Sequence, residues 1–306
     1  LSATGLPGGI TANFNAGTGI LTLSGSASVA NYQTALRQVK YSNTSEAPVT
    51  LTRTLTFRVN DGSANSNTQS RDVTVAAVND APVVSGIGAG AVSYTENGAA
   101  IQITNTIVVS DVDNANLQSA TVSISANYQT GQDVLSATGL PGGITANFNA
   151  GTGILTLSGS ASVANYETAL RQVEYSNTSE APVTLTRTLT FRVNDGSANS
   201  NTQSRNVTVA AVNDAPVVSG IGGGAVAYTE NGAATQVTNT IAVSDVDNAN
   251  LQSATVSISA NYQTGQDVLS AMGLPGGITA NFNAGTGILT LSGSASVANY
   301  QTALRQ

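Results

Sequence analysis

The segment LSATGLPGG that begins at Leu1 returns at Leu135 and again, as LSAMGLPGG, at Leu269, giving the chain a period of 134 residues. Repetition of this kind sets the structural unit before any fold can be assigned. Residues 1–134 and 135–268 differ at eight positions, among them Lys40 against Glu174, Asp72 against Asn206 and Val108 against Ala242. Copies this close reflect recent duplication, so the recurrence of a residue carries little weight by itself. A unit of this length matches the common domain size and can bury a core of its own, unlike the short repeats of solenoids. The chain begins and ends inside a unit, as expected of a window on a longer array.

The periodicity within a unit is that of strands. In VTLTRTLTFRVNDG, Val183 to Gly196, the residues Val183, Leu185, Leu189, Phe191 and Val193 face one way and the threonines the other. Arg187 interrupts the apolar face and is expected near a bulge or the sandwich rim. Further strands are predicted at Ala91–Thr95, Thr106–Ser110, Leu117–Ala126, Gly143–Asn149, Gly153–Gly159, Gln172–Thr178 and Asn206–Val212. NAGTG, from Asn149 to Gly153, reads as a hairpin turn, because Asn and Gly accept positive φ. From Ser162 to Gln172, however, Val163, Tyr166, Ala169 and Leu170 recur at helical spacing behind a serine cap. Many short strands with one short helix per repeat argue for an all-β chain of tandem sandwich domains. Boundaries are expected at VNDAPVV, where proline cannot join a ladder and stiffens the linker. They yield the C-terminal part of a repeat at 1–79, a complete repeat at 80–213 and the N-terminal part of the next at 214–306.

Composition then removes function classes. With 9% charged residues and a net charge of −7 there is no basic patch for nucleic acid. No apolar run approaches the length of a membrane span. Absence of His and Cys removes the usual nucleophile-base pairs, the zinc and copper ligands and any disulfide. A two-carboxylate glycosidase built on Asp111 and Asp113 is the remaining enzymatic reading. Their spacing in one turn suits a shared metal better than an opposed acid and base. The single lysine, Lys40, also excludes a repeated isopeptide cross-link.

Fourteen of the seventeen acidic residues occupy seven positions per period: Glu46/Glu180, Asp61/Asp195, Asp80/Asp214, Glu96/Glu230, Asp111/Asp245, Asp113/Asp247 and Asp133/Asp267. All fall in predicted loops, where acids solvate well. With strands alternating down and up, Glu96 and Glu180 lie at the base of the complete repeat. Asp214 leaves that base through the linker, and Asp245 and Asp247 lie at the top of the following repeat. Five carboxylates converging on one junction repel unless protonated or neutralised, and calcium takes six to eight oxygens. The EF-hand alternative fails, because DVDNANLQSATV places Asn116 where the glycine belongs and Val122 where the bidentate glutamate belongs.

The ordered series TENG, SDVDNANLQ, FRVNDG and VNDAPVV resembles the calcium-binding signatures of cadherins and of the cadherin-like repeats of large bacterial surface adhesins. The resemblance covers the whole period. It implies a Greek-key, cadherin-like or Ig-like sandwich and a metal set of Glu96, Glu180, Asn213, Asp214, Asp245 and Asp247 at one junction. At the preceding junction it implies Glu46, Asn79, Asp80, Asp111, Asp113 and Asp195. The linker is abbreviated and the second base motif reads SNTSE, so one to three Ca2+ per junction are implied. Asp133 and Asp267 have no counterpart and are expected to solvate a loop. The function implied is a calcium-stiffened, non-enzymatic shaft of an extracellular bacterial surface adhesin, contacting neighbouring repeats and carrying a distal ligand-binding region. Two other classes stand beside it. One is a carbohydrate- or protein-binding module using Tyr32, Tyr41, Tyr94 and Tyr128, although no sugar-stacking cluster is visible. The other is a fibre whose modules associate laterally.

Overall fold

In the computed structural model, which describes residues 1–306, alternation of apolar and hydroxyl side chains becomes a set of antiparallel sheets. The strands of the central repeat are β1 (Val83–Ser85), β2 (Val92–Thr95), β3 (Ile101–Gln102), β4 (Val108–Ser110), β5 (Asn116–Ala126), β6 (Asp133–Ala137), β7 (Thr145–Asn149) and β8 (Ile154–Ser162). Helix α1 (Val163–Arg171), β9 (Val173–Asn177), β10 (Arg187–Asn194) and β11 (Gln203–Ala210) complete it. One sheet has the order β7-β8-β5-β10-β11-β2, a second the order β6-β9-β3, and β1 pairs with β4 as a separate ribbon. Every pairing is antiparallel except β11 with β2.

A core of 25 buried residues between Val84 and Val209 joins the layers. Val122, Leu155, Leu157 and Phe191 come from the large sheet, Leu135, Val173 and Tyr175 from the small one, and Tyr166, Ala169 and Leu170 from α1. On β5 the buried side changes parity between Leu117 and Ala120, because a bulge between Leu117 and Ser119 resets the register. The helix starts where its serine cap was expected, with Ser162 Oγ accepting from Asn165 N at 3.2 Å. In the NAGTG turn Gly153 has φ +69, and a Cβ there would lie 2.9 Å from the ring of Tyr128, so the turn excludes any other residue.

Residues 1–79 reproduce the later strands and the helix of this repeat, and 214–306 reproduce β1, β4, β5, β7, β8 and the helix but not β2, β3 or β6. The second of these segments buries a smaller cluster of six residues around Leu291 and Tyr300. No helix is long and apolar enough to cross a membrane.

One expectation is met in the core and another overturned. Arg187 opens β10 beside the register shift of β5 between Ile124 and Ala126, opposite Leu189 and Thr188, so the expected bulge is there although the side chain is buried. Asp133 does not solvate a loop: both side chains are fully buried, with Arg187 Nε 3.0 Å from Asp133 Oδ2. Asp133 is the first residue of β6 and accepts from Tyr175 Oη at 2.5 Å, Asn177 Nδ2 at 2.7 Å and the backbone N–H of Gln129 at 2.8 Å. Charge pairing and near-complete hydrogen bonding are the conditions under which ionised groups tolerate burial. The arginine also explains why β10 is shorter than the sequence suggests. Its Nη1 donates to the carbonyls of Val183, at 2.5 Å, and Leu185, which removes residues 183–186 from the ladder. Val183 and Leu185 consequently face solvent, 40% and 56% exposed.

The core tyrosines predict an alkaline limit. Burial pushes the Tyr166 phenol up to about 12, and burial with the Asp133 hydrogen bond pushes Tyr175 up as well. A phenol whose folded pKa exceeds its unfolded value stabilises fully below about pH 10 and loses that contribution as pH rises through the folded pKa. Tyrosinate absorbance should therefore develop in a late, cooperative step coincident with loss of far-ultraviolet signal above about pH 10. Smooth independent titration of all tyrosines without unfolding would contradict it.

Candidate metal centre

Strand pairing dictates the position of the first ligand candidate. Because β2 runs parallel to β11, with Thr95 opposite Ala210, the residue after β2 lands beside the chain as it leaves for the linker. That residue is Glu96. Its N–H donates to Ala210 O at 2.9 Å, and its Oε2 accepts from Val212 N at 2.7 Å, which fixes the carboxylate. Glu96 is 4% exposed, and its other oxygen, Oε1, is buried without a hydrogen-bond donor. Glu180, on the loop between β9 and β10, accepts from Asn97 Nδ2 at 3.0 Å. Asp214, in the linker, completes a group in which one oxygen from each of Glu96, Glu180 and Asp214 lies within 4.8 Å of the others. Asp214 Oδ2 is likewise buried without a donor.

The following segment closes over the same place. Asp214 N donates to Asp247 Oδ2 at 3.1 Å, while Asp245 Oδ1 accepts from Asn248 N at 2.9 Å. Burial first, and then the charges of Glu180, Asp247 and Asp245, hold the Asp214 carboxyl above its ordinary range. Asp245 is held below it, chiefly by the Asn248 N–H. The carboxylates Glu96, Glu180, Asp214, Asp245 and Asp247 thus sit around one junction. Asn213 lies beside them, its Nδ2 donating to Asp214 O at 2.8 Å.

The other end of the central repeat carries a second group with the same linker geometry. Asp80 N donates to Asp113 Oδ2 at 3.1 Å, and Asp111 Oδ1 accepts from Asn114 N at 2.9 Å. Asn79 Nδ2 reaches Asp195 Oδ2 at 2.8 Å, joining the β10–β11 loop to the linker. Burial opposes the ionised Asp195, but the Ala198 N–H, the Asn79 amide and the Ser197 N–H outweigh it, and its carboxyl stays below the ordinary range. Asp111 is raised, by burial and by Asp113, and its Oδ2 is buried with no donor. Glu46 is exposed and makes no hydrogen bond or ion pair with this group.

Neither asparagine that ties each linker to the Asp-x-Asp loop was singled out from sequence. Asn114 Nδ2 donates to Asn79 Oδ1 at 2.8 Å, and Asn248 Nδ2 to Asn213 Oδ1 at 2.6 Å. The signal was present in SDVDNANLQ, where an amide follows the paired aspartates, but an amide carries no charge pattern to flag it. Asn114→Ala should release the linker at a cost of about 1 kcal/mol, one net hydrogen bond. Faster hydrogen exchange at Asp80 N–H would report it, and unchanged exchange would rule the latch out.

The donor chemistry fits a hard divalent cation. Every candidate ligand atom is oxygen, and three carboxylate oxygens lack the donors that buried anions otherwise require.

No protein-family model matches the chain. Halomucin from Haloquadratum walsbyi (strain DSM 16790 / HBSQ001) is 27% identical over 304 residues, 96% of this chain, and the chain spans 3% of that relative's length. Among solved structures, domains 4–9 of the surface layer protein SbsC align over 80% of this chain and 31% of theirs, at 13% identity and a TM-score of 0.24. Cadherin domains 1–5 of protocadherin gamma B2 align over 94% and 44%, at 12% identity and a TM-score of 0.26. Overlays this loose carry no argument about fold or function.

Proposed function

We propose that this chain is a calcium-stiffened extender region of a large extracellular surface protein, built from cadherin-like repeats, with residues 80–213 as one complete repeat. The observation that carries the reading is the junction of Glu96, Glu180 and Asp214. It combines buried carboxylate oxygens without donors with a linker aspartate whose backbone is bonded to the next repeat's Asp247. Apart from a cation, nothing near these oxygens would offset their mutual repulsion. A shared ion would bind the base of one repeat, the linker and the top of the next as one body. In this reading Asn79, Asp80, Asp111, Asp113 and Asp195, with Glu46, form the equivalent site one repeat earlier.

Tyr94, proposed from sequence as part of a sugar platform, lies instead in the core, 2% exposed and edge-on to Tyr175 at 5.5 Å. That weakens the carbohydrate-binding alternative. The test is small-angle scattering on this chain with calcium and with chelator. Calcium should lengthen and narrow the distribution of end-to-end distances, and identical profiles in the two conditions would dismiss the extender mechanism.

A further inference from the structure

The turn that places Glu96 also demands the residues that follow it. Asn97 adopts φ +59, a left-handed conformation that asparagine tolerates better than most side chains. At Gly98 a Cβ would lie 2.7 Å from Thr95 O, so only glycine fits. The fold therefore imposes an Asn-Gly dipeptide beside the carboxylate cluster. In such a pair the following backbone nitrogen is unshielded by any side chain and can reach the asparagine Cγ. Asn97 is exposed, and its Nδ2 donates to Glu180 Oε2 at 3.0 Å.

From this arrangement we infer that Asn97 is a site of spontaneous deamidation, restrained by Glu180, whose product adds a further carboxylate to the Glu96, Glu180 and Asp214 group. The Gly98 N–H proton passes to solvent base as the nitrogen forms a bond to Asn97 Cγ. The Cγ–Nδ2 bond then breaks, and Nδ2 leaves as ammonia. Water opens the resulting succinimide at one of its two carbonyls, giving aspartate or isoaspartate at position 97. No redox partner or enzyme is needed. Attack requires Asn97 Cγ to swing over Gly98 N, and that motion breaks the bond to Glu180.

The chain carries its own comparison. Asn231 repeats the dipeptide with φ +61, and Gly232 N donates to Thr229 O at 2.9 Å, as Gly98 N does to Thr95 O. The position one period after Glu180 lies beyond residue 306, so within these 306 residues Asn231 presents the same turn without the Glu180 contact.

The experiment is timed incubation of the full chain at mildly alkaline pH, with peptide mapping for the mass gain of amide-to-acid conversion at each site. Asn97 should convert about five-fold more slowly than Asn231, the effect of one net hydrogen bond. Glu180→Ala should raise the Asn97 rate by about the same factor while leaving Asn231 unchanged. Absence of conversion at Asn97 in both proteins once Asn231 has reacted would overturn the inference, as would an Asn97 rate indifferent to Glu180→Ala. In chelator, Asn97→Asp should lower the melting temperature, because it sets a new charge against Glu180, and an unchanged value would refute the product's place in the cluster. Restoration by calcium depends on the cation reading above. Its failure would count against that reading and leave the deamidation intact.

Discussion

Asp133→Ala is expected to remove about 3–5 kcal/mol from the central repeat, because it leaves the Arg187 guanidinium buried with no counter-ion. For a domain whose net stability is about 5–15 kcal/mol, this is a large fraction of the whole. The variant should unfold at far lower urea concentration, followed through the tyrosine fluorescence of Tyr175 and Tyr94, which pack edge-on beside the pair. The loss comes from orphaned groups rather than from the ion pair's intrinsic worth. Tyr175 Oη and Asn177 Nδ2, which both donate to Asp133 Oδ1, would lose their acceptor at the same time. Replacing both partners with apolar residues, Asp133→Leu with Arg187→Met, should therefore cost less than Asp133→Ala alone. A double variant as unstable as the single would show instead that the pair's own attraction supplies the stability.

Calcium removal is expected to have the second largest effect. Binding to the folded junction alone stabilises it by about 2.7 kcal/mol when free calcium stands at about 100 times the Kd, a melting shift near 10 °C for a domain of this size. Chelation should reverse that shift, and Asp214→Asn should abolish most of the calcium response. In the metal-free state the same substitution should stabilise the junction slightly. It removes a charge that burial and then Glu180, Asp247 and Asp245 disfavour. Calorimetry of both proteins with and without calcium separates the two signs. Equal melting temperatures for the native chain in calcium and in chelator would eliminate the ion as a stabiliser.

The parts of this molecule that could be read from sequence are those whose physics is local. Serine before an apolar stripe of helical spacing gave α1, and alternation gave β5, β8 and the buried half of β10. The placement of Glu96, Glu180 and Asp214 at one end followed from counting strand directions. Three strands escaped: β1, of 3 residues, directly follows the proline linker, β3 has only 2 residues, and β6 opens on Asp133, an acid expected in a loop. The pairing of Asp133 with Arg187 escaped for a different reason. The residues are 54 apart in sequence, and a lone charge in an alternating run resembles an interruption, so only the tertiary fold shows that the two neutralise one another. Asn114 and Asn248 went unnoticed because they act by bridging backbone segments that topology alone brings near.

The parallel pairing of Val92–Thr95 with Val207–Ala210 also determines how the repeat responds to tension. A pull on the two ends of the repeat drags these strands in opposite directions along their own length. Their hydrogen bonds are then loaded together in shear instead of opening one at a time. The short ribbon of β1 with β4, antiparallel and three pairs long, lies outside that clamp and would peel away first, paying out a little slack before the sandwich itself bears the force.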